Sequence, residues 1–460
     1  MAARPRARRI LIIAVVLIVA LALRIGEVQR TDYDPINDAG SYLTLAAQIA
    51  RTGDYASSTG AGGTRGPSAY YPPGFPYLLA AVDLIDGRSV PRDGAVHPAR
   101  LSQAVLGTGI VALVGLVAYE SFGETIGLLA LGLGAIYPAL IELSAVLVAE
   151  NLLTLLVLSA VWAMLRAGRS AHPYRWIAAA GGLTGLATLT HINGLVLFLP
   201  LGFAAWRLRR TVSAELPHPF AAPAVFLVSA FLIIAPWTIR NAVELHRFVA
   251  VSDEAGITLV GTYNQASAAN PLVPYKWRFY SAIPGERALV RASKRLTEPT
   301  LSGRLESQAL DYIGAHPLAP LAALYHNTLR LLELEGSYAW EASAGAIDLS
   351  SATARVGVIS FWALCVLALA GLFTRAPRTA PRWLWWVPLL LWLSVALINA
   401  ETPRFREPID AFLIMLAACA LAALAHRAAA RLPGAPARRR DRPPVARGPG
   451  QLVEMVKRLA

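Results

Sequence analysis

The chain has 460 residues, of which 55% are hydrophobic and 15% are charged, and its formal net charge is +13. Soluble domains average about 25% charged residues, so this chain has too little charge to cover the surfaces of two or three soluble domains. The composition therefore predicts a polytopic membrane protein and excludes most soluble enzymes and DNA-binding proteins. The two cysteines, Cys365 and Cys419, lie in apolar runs and have neither a disulfide pattern nor metal-ligand spacing.

Apolar segments along the chain predict ten transmembrane helices, because about 20 mostly apolar residues cross roughly 30 Å of hydrocarbon. Some of the segments are short or broken by proline and glycine. The fold class is therefore predicted to be all-α, a polytopic bundle of transmembrane helices. The predicted spans lie near residues 8–25, 99–119, 125–142, 146–165, 176–191, 193–208, 219–238, 354–374, 383–400 and 408–427.

The distribution of arginine predicts that both termini are cytoplasmic, since cytoplasmic loops carry an excess of positive charge. Four of the five segments that this orientation places inside are arginine-rich, and the short turn near 120–124 is the exception. Two long polar segments, 24–98 and 240–355, then lie outside. The membrane domain is predicted to cover 1–432.

The remaining residues, 433–460, form a basic cytoplasmic tail. Its proline, arginine and glycine content predicts disorder, and its charge suits the anionic inner leaflet. We expect no nucleic-acid partner, because no folded element presents this charge.

The first apolar segment has an alternative interpretation as a secretory signal peptide. Arginines precede an apolar run from Ile10 to Leu23, as they do in such peptides. The small residues Ala20 and Ala22 lie inside the apolar run rather than after it, which favours a retained helix. Cleavage would leave the remaining topology unchanged.

The first outer segment contains an amphipathic helix that is predicted to begin at Asp38 and to end near Gly53, lying on the membrane surface. A carboxylate at the start of a helix can cap its free N–H groups. The alternative is that Asp38 is a general base, held where a lipid headgroup meets a substrate from the water side. Asp34 is a second carboxylate of this loop, which could orient a substrate or a divalent cation.

Five motifs occur in the order in which GT-C glycosyltransferases have them, and they cover about Arg9 to His426. The chain thereby resembles the dolichyl-phosphate-mannose protein mannosyltransferases (glycosyltransferase family 39) and their bacterial lipid-A aminoarabinose transferase relatives. Ala149 stands where the family has serine, and His191 stands where relatives often have arginine. The motifs are Asp38-Ala39-x-x-Tyr42 with Tyr71-Pro72-Pro73-Gly74-Phe75-Pro76, Ala149-Glu150-Asn151-Leu152-Leu153, Thr190-His191-Ile192-Asn193-Gly194, Pro236-Trp237-Thr238-Ile239-Arg240-Asn241 and Pro403-Arg404-Phe405-Arg406-x-Pro408.

The resemblance implies a GT-C type bundle with two large outer loops and interfacial helices. It also implies transfer of a sugar, with inversion, from a polyprenyl-phosphate donor to a hydroxyl of a lipid, glycan or protein, at the outer face of the cytoplasmic membrane. The first-loop aspartate of the family acts as the base, and that role carries over to Asp38. Tyr42 and Tyr71 belong to the same motifs and are expected to line the acceptor side of the loop.

The donor phosphate needs a positively charged partner, and the planar fork of arginine suits phosphate oxygens. Arg404, Arg406 and Arg240 lie at outer ends of predicted spans, where they would either bind the phosphate or snorkel to the interface. Glu150, at an outer helix start, is either an active-site carboxylate or a buried hydrogen-bond partner. A divalent cation needs several oxygen ligands, and only Asp34, Asp38 and Glu150 are candidates, so no metal site is assigned and no cofactor is certain.

The main alternative function is a transporter or flippase of a lipid-linked precursor, and a non-catalytic assembly subunit is a third. Transporters keep their charges within the spans, whereas this chain places acidic residues at the start of a large outer loop. The second outer segment is predicted to form helices near 285–296 and 301–315 that cap the site. Gly181 and Gly185 form a GxxxG motif, which predicts helix packing.

Overall fold

The structure, a computed structural model, describes residues 3–57, 66–87, 96–212, 219–293 and 295–431. The predicted tail at 433–460 and two stretches of the first outer segment, 58–65 and 88–95, lie outside the described residues. The chain is an all-α, multi-pass membrane protein, as predicted.

The described residues form a helical bundle with one small antiparallel pair of strands, in which β1 (Ala56–Ser57) pairs with β2 (Gly66–Pro67). Short 3-10 helices cover Ile192–Leu197, Tyr280–Ala282, Ala376–Thr379 and Arg404–Arg406. The α-helices are α1 (Ala3–Arg30), α2 (Asn37–Thr52), α3 (Gly74–Asp86), α4 (Val96–Phe122), α5 (Glu124–Ile136), α6 (Pro138–Leu143), α7 (Glu150–Ala167), α8 (Pro173–Thr190), α9 (Phe198–Val212), α10 (Ala221–Leu245), α11 (Ala255–Thr262), α12 (Gln265–Ala268), α13 (Arg287–Ser293), α14 (Glu298–Ala315), α15 (Ala319–Leu331), α16 (Ser337–Gly345), α17 (Ser351–Leu372), α18 (Trp383–Ala396) and α19 (Glu407–Arg431).

Helices occupy all ten predicted spans. In the described ranges, six helices are long and apolar enough to cross a bilayer, namely α1, α4, α7, α10, α17 and α19. Three shorter apolar helices are α5, α18 and the segment Ile192–Leu208, which includes the start of α9. In the bundle, α4 packs against α1, α5 and α7. Helix α8 packs against α7 and α10. Helix α19 packs against α5 and α17. Alanine, leucine and valine side chains fill the space between these helices.

Two predicted spans differ from the structure. The span predicted at 125–142 is broken at Tyr137, which is extended because the following Pro138 disfavours helical backbone. Pro138 also has no N–H to donate to the carbonyl of Gly134. The buried Arg24 donates to that carbonyl instead, over 3.3 Å. The span predicted to start at 146 begins at Glu150, after a buried non-helical segment, so that boundary was wrong.

The GxxxG motif on α8 is a packing surface, as predicted. A Cβ added at Gly181 would lie 2.2 Å from the carbonyl oxygen of Phe226, and one at Gly185 would lie 2.7 Å from that of Ala230. Both acceptor residues belong to α10. The two glycines therefore let the backbones of α8 and α10 approach closely, which is the role of small residues in membrane helix pairs.

The two outer segments share one hydrophobic core. The predicted amphipathic helix is α2, which ends at Thr52 before Gly53 (φ +78°) and packs its apolar face against α3. The rings of Tyr42 and Phe75, one from each helix, meet edge to face at 5.0 Å. From the second segment, α11 and α14 join this core. In the predicted helical stretches at 285–296 and 301–315, the structure has α13 and the longer α14.

Candidate active site

A cavity of about 590 Å³ lies where the two outer segments meet the ends of the membrane helices. Its walls come from the start of α2, the loop before α3, the junction between Glu254 and α11, the start of α7, the turn after α8 and the segment between α18 and α19. Among the described residues, the charged ones that line it are four carboxylates and one arginine, namely Asp38, Glu150, Glu254, Glu401 and Arg404.

Asp38 directs its carboxylate at the cavity and does not cap α2. The N-cap residue is Ile36, which has no side-chain hydrogen bond, and Asp38 lies in the first turn, so the cap interpretation is wrong. The Tyr71 hydroxyl donates to Asp38 Oδ1 over 2.9 Å, and Arg404 Nη1 donates to Oδ2 over 2.8 Å. The Asp38 side chain keeps 35% of its surface exposed, which leaves it accessible to a substrate.

The pKa of Asp38 reflects two opposing influences. Burial raises it, but the Arg404 guanidinium and the hydrogen bonds from Arg404 and Tyr71 together outweigh burial and hold this pKa below its usual value. Asp38 is therefore ionised at neutral pH. It has the charge that a general base needs.

Tyr71 is held against Asp38 by the loop that precedes α3. Glu298, on α14, accepts hydrogen bonds of 2.7 Å from both Ser68 Oγ and the Ala69 amide. The Tyr71 ring packs against the Tyr42 ring at 4.8 Å. The predicted loop residues Tyr42 and Tyr71 both line the cavity. A carboxylate of the second outer segment thus fixes the loop of the first.

Arg404 lies in the 3-10 helix between α18 and α19, and three carboxylates surround its guanidinium. It donates to Asp38 over 2.8 Å and pairs with Glu401 over 2.9 Å, while Glu150 lies 3.7 Å from its Nε. Its side chain is only 11% exposed. Lys276 Nζ lies 3.5 Å from Glu401, so a second cation is close to one of these carboxylates.

Glu150 lies at the candidate site, and the structure does not choose between the two roles that the sequence left open for it. It is the first residue of α7 and is 3% exposed, so it is a buried carboxylate beside Arg404. It also lines the cavity.

Arg406 and Arg240 do not line the cavity, which contradicts the expectation that they hold the donor phosphate. Arg406 is 1% exposed and is paired with Glu333 at 2.7 Å and Asp410 at 3.1 Å. Arg240 donates to the carbonyl of Ser68 over 2.7 Å and stabilises the loop before α3. Both guanidinium groups are engaged in structural contacts.

Asp34 is exposed and also lies outside the cavity lining, where its amide donates to the carboxylate of Asp348. The three carboxylates considered for a cation therefore do not converge. Within the ranges that the structure describes, no three histidine, cysteine, aspartate or glutamate side chains are grouped so that they could hold a metal ion.

Sequence reasoning missed Glu254 and Glu401. Glu401 lies three residues before Arg404, so its proximity to the Pro403–Pro408 motif was a signal that could have indicated it. Glu254 has no such signal, because it is one of many acidic residues in a long polar segment. Burial, with Asp38 and Glu150 nearby, raises the pKa of Glu254 to about 8.

The sequence model of the family described as dolichyl-phosphate-mannose-protein mannosyltransferase matches residues 71–237. This segment runs from Tyr71 through Glu150 to Trp237 on α10. No curated protein matches the sequence.

Solved structures of an archaeal oligosaccharyltransferase share the fold of this chain. An oligosaccharyltransferase of Archaeoglobus fulgidus, tethered to an acceptor peptide, superposes with a TM-score of 0.55 at 14% identity, over 91% of this chain and 50% of that one. The archaeal oligosaccharyltransferase AglB from Archaeoglobus fulgidus, in complex with an inhibitory peptide and a dolichol-phosphate, gives 0.56 at 14% identity, over 94% and 53%. The chain therefore spans about half the length of these proteins. The likeness confirms the GT-C fold.

ArnT from Cupriavidus metallidurans, bound to undecaprenyl phosphate, aligns over 92% of this chain and 80% of that one at 16% identity. Its TM-score of 0.41 is too low to establish a shared fold.

Proposed function

We propose that this chain is an integral membrane glycosyltransferase that moves a sugar, with inversion, from a polyprenyl-phosphate donor to an acceptor hydroxyl. The observation that carries the proposal is the ionised Asp38 carboxylate, which lies beside Arg404 in a cavity between the outer segments of a GT-C fold. The match to the mannosyltransferase family over 71–237 supports the same reaction class.

In the proposed reaction, Asp38 accepts the proton of the acceptor hydroxyl. The acceptor oxygen attacks the anomeric carbon from the face opposite the phosphate and forms the new C–O bond. The bond between that carbon and the phosphate oxygen breaks, and the phosphate keeps the electron pair and leaves as polyprenyl phosphate. The cavity residues position the two substrates, and Arg404 stabilises negative charge on the leaving phosphate.

Arg404 must change partners for this role, because Asp38, Glu401 and Glu150 surround it. A donor phosphate that takes the place of the Asp38 carboxylate at Arg404 would free Asp38 for the acceptor. Loss of the neighbouring guanidinium would raise the pKa of Asp38 and make it a stronger base. Donor binding would thus activate the base.

The partners that we propose are a polyprenyl-phosphate sugar and an acceptor on a lipid, a glycan or a protein. The two Archaeoglobus structures hold an acceptor peptide in one case and a dolichol-phosphate in the other, which supports ligands of these classes. We further propose that the protein lies in the cytoplasmic membrane with its cavity facing outside, because the arginine-rich loops then lie inside.

The test is turnover by the purified protein in lipid nanodiscs. Polyprenyl-phosphate sugars are supplied with membrane lipids, glycans or hydroxyl-bearing peptides, and release of polyprenyl phosphate is measured, with Asp38→Asn as the inactive control. Acceptor-dependent release that Asp38→Asn abolishes would support the proposal. Transfer of the intact donor across the bilayer without release would instead indicate a flippase. Mass spectrometry of envelope lipids and glycans from a deletion strain would identify the sugar and its acceptor.

A further inference from the structure

Glu254 is the one lining carboxylate to which the proposed reaction assigns no task and which has no partner among the described residues. Arg404 contacts the other three, whereas the Glu254 carboxyl makes no hydrogen bond or ion pair with a described side chain. Its carboxyl lines the cavity and is available to a ligand.

The backbone around Glu254 is held in a fixed position beside Tyr71. The amide of Asp253 donates to the carbonyl of Ala69 over 2.9 Å. Ser252 Oγ donates to the carbonyl of Tyr70 over 2.6 Å and accepts from the Glu254 amide over 3.2 Å. These contacts tie the residues just before α11 to the loop that carries Tyr71, so Glu254 is pre-positioned at the site.

The start of α11, directly after Glu254, is packed too closely against α14 to move. A Cβ added at Gly256 would lie 2.0 Å from the carbonyl oxygen of Ser302, so α11 lies directly against α14. Glu254 is therefore held from two sides, by the loop before α3 and by α14.

The groups that face Glu254 come from four other elements. Asp38 and Tyr42 lie on α2, Tyr55 and Tyr70 lie in the segment between α2 and α3, Glu150 begins α7 and Arg404 precedes α19. Among the described residues, two carboxylates and one guanidinium act on the Glu254 carboxyl, so the surroundings favour its protonated form. Burial, with Asp38 and Glu150, raises its pKa to about 8, and it is mostly a neutral acid at pH 7.

We propose that Glu254 binds the donor phosphate as a neutral carboxylic acid whose O–H donates a hydrogen bond to a phosphate oxygen. This inference rests on the proposed function. An ionised Glu254 would add a negative charge to a cavity that must admit an anion, whereas a protonated carboxyl is a donor without charge. The incoming phosphate itself favours the protonated form further.

Glu254 then holds the leaving group during transfer. As the bond between the anomeric carbon and the phosphate oxygen breaks, the phosphate gains an electron pair, and the hydrogen bond from Glu254 strengthens with that charge. The proton remains on Glu254, so the acceptor proton on Asp38 is the only one transferred.

The experiment measures the affinity of undecaprenyl phosphate for the full chain in nanodiscs between pH 6 and pH 9.5. The parent should bind about tenfold more weakly at pH 9 than at pH 7, because binding requires one proton on a group that titrates near pH 8. Glu254→Gln keeps a neutral donor of the same shape, so its affinity should be near that of the parent at pH 7 and should not fall at pH 9. Glu254→Ala should bind weakly at every pH.

Asp253→Asn is the matched control. It removes the neighbouring carboxylate, which does not line the cavity, and should keep the alkaline loss of affinity seen in the parent. The phosphate of the probe titrates identically in every variant, so a difference between variants reports on the protein.

Two results would overturn the inference. One is a folded Glu254→Gln protein that no longer binds at pH 7, since this would mean that Glu254 acts as a carboxylate. The other is a Glu254→Gln protein that loses affinity above pH 8 as the parent does. A parent that binds no undecaprenyl phosphate at any pH would contradict the proposed function itself, which distinguishes the two failures.

Discussion

The Asp38 carboxylate and the Arg404 guanidinium are joined by a hydrogen bond of 2.8 Å, although 366 positions separate the two residues in the chain. The first outer segment and the segment before the last helix therefore meet at the candidate site. The pair keeps Asp38 ionised and at the same time occupies Arg404, which must therefore change partners to bind a phosphate.

Asp38→Asn should reduce turnover by about 10²–10⁴-fold, the usual contribution of a general base. Asp38→Asn keeps an oxygen that can accept from Tyr71, whereas Asp38→Ala leaves Tyr71 and Arg404 without this acceptor and should unfold at a lower temperature. The measurements are thermal unfolding and release of polyprenyl phosphate. Asp34→Asn is the control, since Asp34 is exposed outside the cavity and its removal should leave turnover unchanged. A folded Asp38→Asn protein with parental turnover would remove Asp38 from the mechanism.

A substitution at Arg404 should weaken phosphate binding, whereas a substitution at Arg406 should lower the stability of the fold. Arg404→Lys loses the planar fork and should weaken undecaprenyl phosphate binding by roughly 1.5–3 kcal/mol, the value of a hydrogen bond to a charged group. Arg406→Ala leaves Glu333 and Asp410 buried without their cation, which should cost about 3–5 kcal/mol of stability. The folded fraction of Arg406→Ala should bind like the parent. Weak binding by that folded fraction, with normal binding by Arg404→Lys, would reverse the two assignments.

Glu298 should make the stability depend on pH. Burial raises its pKa to about 7, above the usual value of about 4.3, so its ionised form is disfavoured in the folded state. The contribution of protonated Glu298 to the free energy of unfolding is therefore fully present below about pH 4, and it is lost as the pH rises through 7. Glu298→Gln cannot ionise, and its unfolding temperature should fall less between pH 5 and pH 8 than that of the parent. Glu306→Gln, an exposed position on the same helix, should retain the parental slope.

The contact between α8 and α10 should tolerate a methyl group at Gly182 but not at Gly181. A Cβ at Gly181 would lie 2.2 Å from a backbone oxygen, whereas the nearest atom to one at Gly182 is a side-chain carbon of Ile233 at 3.9 Å. Gly181→Ala should therefore lower stability by about 1–3 kcal/mol, while Gly182→Ala should be close to neutral. Thermal unfolding of the two variants in detergent provides the comparison. Equal unfolding temperatures would mean that the helices separate easily at this contact.

The proposed orientation can be tested by labelling single cysteines in intact cells, in a background without Cys365 and Cys419. Ser302 is only 5% exposed and is therefore unsuitable as a labelling position. Ser307→Cys, on an exposed position of α14, should react with a membrane-impermeant thiol reagent. Ala171→Cys, exposed between α7 and α8, should react only after the cells are opened. The opposite pattern would place the cavity on the cytoplasmic side.

The sequence by itself determined the elements whose formation depends on local features. Apolar length predicted the membrane helices, and the small residues Gly181 and Gly185 predicted a packing surface. The spacing of apolar residues predicted α2, which ends at Thr52, next to Gly53, near which it was expected to end. These features depend on neighbours in the chain, so they can be read without knowing the fold.

Only the tertiary structure decided which charged residues face the cavity. Arg404 and Arg406 are two positions apart in one motif, yet the first contacts Asp38 and the second contacts Glu333 and Asp410. They lie in a 3-10 helix with about three residues per turn, so side chains two positions apart point in different directions. Which direction leads to the cavity depends on helices hundreds of residues away in the chain. The position of Glu254 also depends on the tertiary structure, because hydrogen bonds to the carbonyls of Ala69 and Tyr70 hold the residues before it at the cavity. No local sequence pattern predicts these hydrogen bonds.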